Sequence, residues 1–119
     1  MSTEDVLDPA VIAGLREAQD AFGNPAFIRQ LVSLFQARTP GKMDQVRQAI
    51  AAGDGAAIHD VAHALKSNCG MLGAGRMAGA CARMEEAAAL GDLAAAAEAF
   101  REAEAQLPLV LTALADLAS

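Results

Sequence analysis

The chain has 119 residues, 54% of them hydrophobic, with four phenylalanines and neither tryptophan nor tyrosine. About a quarter of the residues are alanine, which favours helices and disfavours strands, so the composition predicts an all-α fold. The formal net charge of −6 argues against binding to DNA or RNA, which requires a basic surface.

The sequence also argues against membrane insertion and secretion. No segment approaches the roughly 18 uninterrupted apolar residues of a membrane span, and the N-terminus is acidic where a secretory signal is basic. Two cysteines, Cys69 and Cys81, are too few for a disulfide framework and are typical of small buried apolar residues. We therefore expect a single domain over residues 1–119, monomeric and located in a reducing cytoplasm.

Two helices are predicted in the first half of the chain. Asp8-Pro9 supplies an N-cap and a first-turn proline for a helix over residues 8–22, which Gly23 ends. A second helix starts at Asn24-Pro25 and reaches Gly53, and Thr39-Pro40 inside it either begins a new helix or kinks a long one. The apolar positions at helical spacing are Val11, Ile12, Leu15 and Phe22, then Phe27, Ile28, Leu31, Leu34, Phe35, Met43, Val46 and Ile50.

Three more helices are predicted in the second half. Asp54 caps a helix that Gly73 ends, a fourth helix follows Ala74-Gly75 and closes at Gly91, and Asp92 caps the last one. Pro108 should kink the last helix or divide it in two. The apolar stripes are Ile58, Val61, Leu65, Cys69 and Leu72; Met77, Cys81 and Met84; and Leu93, Phe100, Leu107, Val110, Leu114 and Leu117. Because the connections are short, sequential helices must be antiparallel neighbours, which predicts an antiparallel up-down four-helix bundle with an extra short N-terminal helix.

The two histidines, His59 and His63, both lie on the third predicted helix. At about 100° per residue, His63 points about 155° away from the centre of the apolar stripe, and so toward solvent. Its neighbours on the outward strip, Ser67 and Gly70, are small, and the cation Lys66 lies at the edge. Glycine inside a helix costs about 1 kcal/mol relative to alanine, so its presence here is informative. Small neighbours allow another macromolecule to approach the imidazole closely. An ordinary solvated histidine would fit the same geometry.

The segment His63–Gly73, HALKSNCGMLG, resembles the signature of histidine-containing phosphotransfer (HPt) domains. That signature is His, any residue, an aliphatic residue, Lys, Gly, two small residues, two variable positions, an aliphatic residue and Gly. Ser67 replaces the usual glycine, and Asn68 replaces the usual serine or alanine. The positions that fit are His63, Leu65, Lys66, Cys69, Leu72 and Gly73, and the family's next helix is resembled by Cys81, Arg83-Met84 and Glu85. The layout from Gly23 to Asp54 is similar to the helix that precedes the family's histidine.

The resemblance implies a phosphorelay protein. His63 would accept a phosphoryl group on Nε2 from the aspartyl phosphate of a response-regulator receiver domain, alone or within a hybrid sensor histidine kinase, and pass it to another receiver. Lys66 would offset the phosphoryl charge, and Glu85 would bond the inner ring nitrogen. The remaining candidates for phosphoryl or partner binding are His59, Ser67 and Gly70. Any Mg²⁺ would belong to the receiver, and no cofactor or metal is expected on this chain. The sequence has no glycine-rich phosphate loop, so no kinase activity of its own is expected.

Four other interpretations compete. The main alternative is a non-catalytic helical-bundle adaptor that binds a signalling partner. His59 and His63, at i and i+4, could bind a metal ion with Asp60, although such elements in di-iron bundles are duplicated and face inward. The phosphoacceptor domain of a dimeric sensor kinase carries an acid directly after its histidine, where this chain has Ala64. A redox pair of the two cysteines is the weakest interpretation, since both lie on apolar stripes.

Overall fold

Five α-helices follow one another in a computed structural model that describes residues 6–119. They are α1 (Pro9–Phe22), α2 (Phe27–Ala52), α3 (Gly55–Met71), α4 (Gly75–Ala89) and α5 (Leu93–Ala118). α3 packs against α2 and α4, and α5 packs against α4 and α2, which closes a four-helix bundle; α1 lies against α2. The predicted all-α bundle with an extra N-terminal helix is confirmed.

Helix ends follow the local signals of the sequence. Three aspartates, Asp8, Asp54 and Asp92, accept hydrogen bonds from backbone N–H groups of the first turns of α1, α3 and α5 at 2.9, 3.1 and 3.0 Å. The connections after α1, α2, α3 and α4 each contain a glycine with positive φ, namely Gly23, Gly53, Gly73 and Gly91.

One helix start differs from the prediction. α2 begins at Phe27, because Asn24–Ala26 forms a turn in which Asn24 Oδ1 accepts from Ala26 N at 3.0 Å. The side chain of Gln19, from α1, then caps the new helix by accepting from Ile28 N at 3.0 Å. A side chain nine residues away therefore supplies the cap.

The two internal prolines do not break their helices. α2 and α5 each continue for 26 residues, through Pro40 and Pro108 respectively. A new helix at Thr39-Pro40 and a division at Pro108 are thereby excluded. Each proline removes the donor for the carbonyl four residues earlier, on Gln36 and Glu104, and these residues are exposed, so water can satisfy both oxygens.

The predicted apolar stripes form the core, with two exceptions. Ile58, Leu65 and Met84 are completely buried. Phe22 and Leu34, in contrast, were expected on inward stripes and are 67% and 45% exposed. Phe22 lies edge-on against Phe27 with ring centroids 5.3 Å apart. Helical spacing predicts which face of its own helix a residue occupies, but not whether a neighbouring helix covers that face. The predicted burial of Phe22 and Leu34 was therefore wrong.

Helix lengths give the bundle an uneven end. At about 1.5 Å per residue, α2 and α5 are about 39 Å long, whereas α3, with 17 residues, is about 26 Å. The start of α2 and the end of α5 extend past the α3–α4 turn, because both line a pocket there with residues of α1 and with none of α3 or α4. The first turn of α1 is fixed at Gly73, whose carbonyl accepts a hydrogen bond from Asp8 N at 2.8 Å. Among residues 6–119, none of the helices combines the length and apolar character that crossing a membrane requires.

Candidate functional site

His63 lies in the middle of α3 on its outer side. The side chain is 62% exposed, whereas Ala62 and Leu65 of the same turn are completely buried. The predicted outward orientation of this histidine agrees with its position in the structure.

The imidazole ring is held from the neighbouring helix. Glu85, on α4, places its carboxylate oxygens 3.0 and 3.3 Å from His63 Nδ1. The carboxylate is acceptor-only when ionised, so Nδ1 carries the proton in this contact, and Nε2 is left as the ring nitrogen with an available lone pair. The Glu85 side chain is only 18% exposed, which restricts its movement and that of the ring.

Lys66 binds the same carboxylate. Its Nζ lies 3.2 Å from Glu85, and its side chain is 36% exposed. Partial burial raises the pKa of Glu85, but the hydrogen bonds and charges of Lys66 and His63 outweigh this effect and hold that pKa below its ordinary value. The three side chains thus form one connected cluster, the His63–Glu85–Lys66 triad. The pairing of Lys66 with Glu85 was not anticipated from the sequence, which gave Lys66 only a phosphoryl group as its partner.

The other predicted residues surround the triad without entering it. Ser67 Oγ donates to the His63 carbonyl at 3.3 Å, so this hydroxyl bonds the helix backbone. A Cβ added at Gly70 would meet no atom within 4 Å, so the surface there is open. His59 Nδ1 lies 3.3 Å from Asp60 Oδ1, one turn before His63 and away from Glu85. Among residues 6–119, no group of three or more His, Cys, Asp or Glu side chains is arranged to hold a metal ion.

Comparison with known proteins decides the family. The model of the Hpt domain matches residues 30–117, about three quarters of the chain. The chain belongs to the Hpt domain family. The crystal structure of histidine-containing phosphotransfer protein B (HptB) from Pseudomonas aeruginosa PAO1 is similar to it, with a TM-score of 0.85 and 26% sequence identity over 95% of this chain and 94% of that one. No curated protein gives a significant match.

Membership of the family gives the function. This Hpt domain acts in phosphorelay histidine phosphotransfer. Hpt domains generally interact with the receiver domains and kinases of phosphorelays.

A surface groove was missed from the sequence. It has a volume of about 180 Å³, lies between α2 and α3 and is lined by Leu31, Leu34, Phe35, Arg38, Asn68, Met71 and Leu72. Met71, which is 54% exposed, stands two turns after His63 along α3. Ligand pockets usually measure at least about 300 Å³, so the groove suits one or two side chains of a partner better than a cofactor. Asn68, which replaces the usual serine or alanine of the signature, lies in the wall of this groove.

The two cysteines of this Hpt domain lie inside the bundle. Cys69 on α3 and Cys81 on α4 are both free and completely buried. The neighbouring Cys81 sulfur and burial raise the pKa of the Cys69 thiol, which keeps it protonated and unreactive. Their predicted role as buried apolar residues agrees with this environment.

Proposed function

We propose that His63 is the phosphoacceptor and that Nε2 is its attacking atom. The observation that carries the proposal is the contact of Nδ1 with Glu85 at 3.0 Å on a ring that is 62% exposed. A neutral imidazole with its proton on Nδ1 presents the Nε2 lone pair, which is a competent nucleophile near neutral pH.

The proposed reaction is reversible phosphoryl transfer with a receiver domain. The Nε2 lone pair attacks phosphorus, the bond between phosphorus and the receiver's aspartate breaks, and the electron pair leaves with the aspartate carboxylate. Lys66 offsets the negative charge of the phosphoryl group, because its flexible ammonium can move from Glu85 toward Nε2. Transfer to a second receiver is the same step in reverse. Mg²⁺ is expected on the receiver only, and this chain needs no cofactor or metal and has no kinase activity of its own.

The proposed partner surface includes the strip around His63 and the groove next to it. Ser67 and Gly70 keep the strip low, so the receiver can bring its aspartate to the ring. Leu34 and Met71 provide exposed apolar area at one edge of the strip, which suits a transient interface of modest size. The partners would be receiver domains of response regulators or of a hybrid sensor histidine kinase, bound by a monomer of this protein. Free buried cysteines suit a reducing compartment, so we also propose a cytoplasmic location.

Labelled phosphoryl transfer tests this proposal. The purified chain is mixed with a panel of receiver domains that have been phosphorylated with acetyl phosphate, and acid-labile, base-stable label on the chain is measured. His63→Gln should take up no label. His59→Gln is the matched control, since it changes the same residue type one turn earlier on the same helix, and it should retain the label.

Two outcomes would overturn the proposal. Label that persists in His63→Gln would place the phosphoacceptor elsewhere. Stable binding of a receiver with no label on the wild type would favour the adaptor alternative. Circular dichroism of both variants shows that the bundle is intact in each comparison.

A further inference from the structure

We propose that a pocket at the end of the bundle binds a small organic phosphate, at a site that shares no residue with the His63–Glu85–Lys66 triad. The pocket has a volume of about 560 Å³, and we call it the arginine pocket. Its lining residues come from α1, α2 and α5 and include Arg16, Gln19, Asp20, Ile28, Arg29 and Leu117. Small-molecule sites in proteins usually measure about 300–1,000 Å³, so this pocket has the size of a ligand site, whereas the groove between α2 and α3 does not.

Two arginines from different helices line the arginine pocket. Arg16 lies on α1 and Arg29 lies on α2, and neither side chain forms an ion pair or hydrogen bond with another side chain within residues 6–119. Elsewhere in this acidic chain, Arg47, Lys66 and Arg83 pair with carboxylates. Two positive charges in one cavity repel each other, and an anion between them replaces that repulsion with attraction. The pocket therefore favours a ligand that carries negative charge.

Phosphate matches the two arginines better than a carboxylate does. A phosphate monoester carries a charge of about −1.5 to −2 at pH 7 and has three acceptor oxygens. Each guanidinium offers parallel N–H donors in a planar fork, so one phosphate can accept bonds from both arginines at once. A carboxylate, with one charge and two oxygens, is matched by a single guanidinium.

Gln19 provides a further donor whose position is fixed. Its Oε1 accepts a hydrogen bond from Ile28 N at 3.0 Å, which holds the side chain between α1 and α2. Because the oxygen of the amide is used in this contact, the amide nitrogen keeps its two N–H donors for a ligand in the pocket that Gln19 lines.

The remaining groups of the arginine pocket favour an organic phosphate over the inorganic ion. Ile28 is buried and Leu117 is half-buried, so both offer apolar contacts to a ring or a short chain. Asp20 and the carboxyl group of Ser119 also lie at the pocket. These groups disfavour a second anionic group on the ligand, but they accept hydrogen bonds from hydroxyl or amino groups. A nucleoside monophosphate combines one phosphate, hydroxyl and amino donors, and a ring.

Binding in this pocket would link α1 to the rest of the bundle. No residue of α1 is buried, so the helix is held by partly buried contacts. A phosphate that bonds Arg16 and Arg29 together connects α1 directly with α2. Since a ligand that binds only the folded state stabilises it, hydrogen exchange of the α1 amides should slow when the ligand is bound.

Nuclear magnetic resonance titration of the full chain at constant ionic strength tests the proposal. The probes are adenosine 5′-monophosphate, inorganic phosphate, which has the charge alone, and adenosine, which has the organic part alone. Adenosine 5′-monophosphate should cause saturable shifts at residues 16–20, 25–29 and 117–119 and should slow amide exchange in α1. The other two probes should bind at least about tenfold more weakly.

Matched arginine variants show whether the pocket is responsible. Arg16→Gln and Arg29→Gln should each weaken binding of adenosine 5′-monophosphate about tenfold or more, because each removes a charged hydrogen-bond donor. Arg101→Gln is the control, since Arg101 is an exposed arginine of α5 that does not line the pocket, and it should bind like the wild type. Circular dichroism shows that all three variants keep the bundle.

Three results would overturn the inference. The first is the absence of saturable shifts with adenosine 5′-monophosphate up to about 10 mM. The second is equal weakening in Arg101→Gln, which would indicate attraction by charge anywhere on the surface. The third is equally tight binding of inorganic phosphate, which would leave the organic part without a role. None of these results depends on His63, whose proposed function is tested separately by the uptake of label.

Discussion

Replacing Gly73 by alanine should destabilise the bundle far more than the same change at Gly91. Both glycines have positive φ, at +77° and +74°. Alanine in this left-handed region costs about 1–2 kcal/mol, and the lower entropy of the unfolded chain returns about 0.4–1 kcal/mol. At Gly91 a Cβ would meet nothing within 4 Å, so Gly91→Ala should lower the free energy of unfolding by only about 1 kcal/mol.

At Gly73 a steric term is added. The Cβ would lie 3.1 Å from Asp8 N and from Val11 Cβ, and 3.3 Å from Asp8 O. Two of these atoms are backbone, and they can move only by weakening the 2.8 Å hydrogen bond from Asp8 N to Gly73 O. Overpacking of this kind costs about 1–3 kcal/mol, so Gly73→Ala should lose about 2–4 kcal/mol in total.

Urea denaturation followed by far-ultraviolet circular dichroism measures both losses by linear extrapolation. Gly91→Ala serves as the control because it carries the same backbone strain without the close contact. Equal losses of unfolding free energy in the two variants would show that the close contact of Gly73 with Asp8 and Val11 does not contribute to stability, and would refute the prediction.

Other changes test the core, a cap and the triad. Thr39 is completely buried with an unpaired hydroxyl, so Thr39→Val should raise the free energy of unfolding by up to about 1 kcal/mol in the same assay; a loss would mean that the hydroxyl is bonded. Asp92→Ala should lower the free energy of unfolding by about 1 kcal/mol, because α5 loses its N-cap. Asp60→Ala is the control, since Asp60 caps no helix, and it should change the free energy of unfolding by less than about 0.5 kcal/mol. The pKa of Glu85 lies below its ordinary value of 4.5 in the folded chain, so its ionised form stabilises the fold above that pH. The stability difference between wild type and Glu85→Gln should therefore shrink as pH falls below 4.5 and disappear once pH is below the folded pKa, and a difference that persists there would contradict this.

Most of the fold could be predicted because its signals are local. Asp54 and Asp92 cap helices that start directly after them, and positive-φ glycines mark the connections. The fate of Pro40 could not be predicted, because it depends on whether the carbonyl of Gln36 faces water. The true start of α2 depends in turn on a side-chain cap from Gln19, which is a contact between two helices.

The site divides in the same way. The outward position of His63 follows from helical periodicity, and the position of Glu85 was implied by the resemblance to the family. The bond between Lys66 and Glu85 depends on the register of α3 against α4, which periodicity does not determine. The groove at Met71 was missed for a similar reason, since it is formed between α2 and the last turns of α3 and depends on how those two helices pack. The roles of these residues in phosphoryl transfer remain predictions.

The extension of α2 and α5 beyond the α3–α4 turn divides the molecule into parts of unequal local stability. No residue of α1 is buried, so the helix that covers the extension is held by partly buried contacts. Amide protons at the start of α2 and the end of α5 should therefore exchange with solvent through local opening, while those near Leu65 and Met84 exchange only when the whole bundle unfolds. Such fraying would leave the ring of His63 in place. Thermal motion at that end is thus separated from the His63–Glu85–Lys66 triad by the stable middle of the bundle.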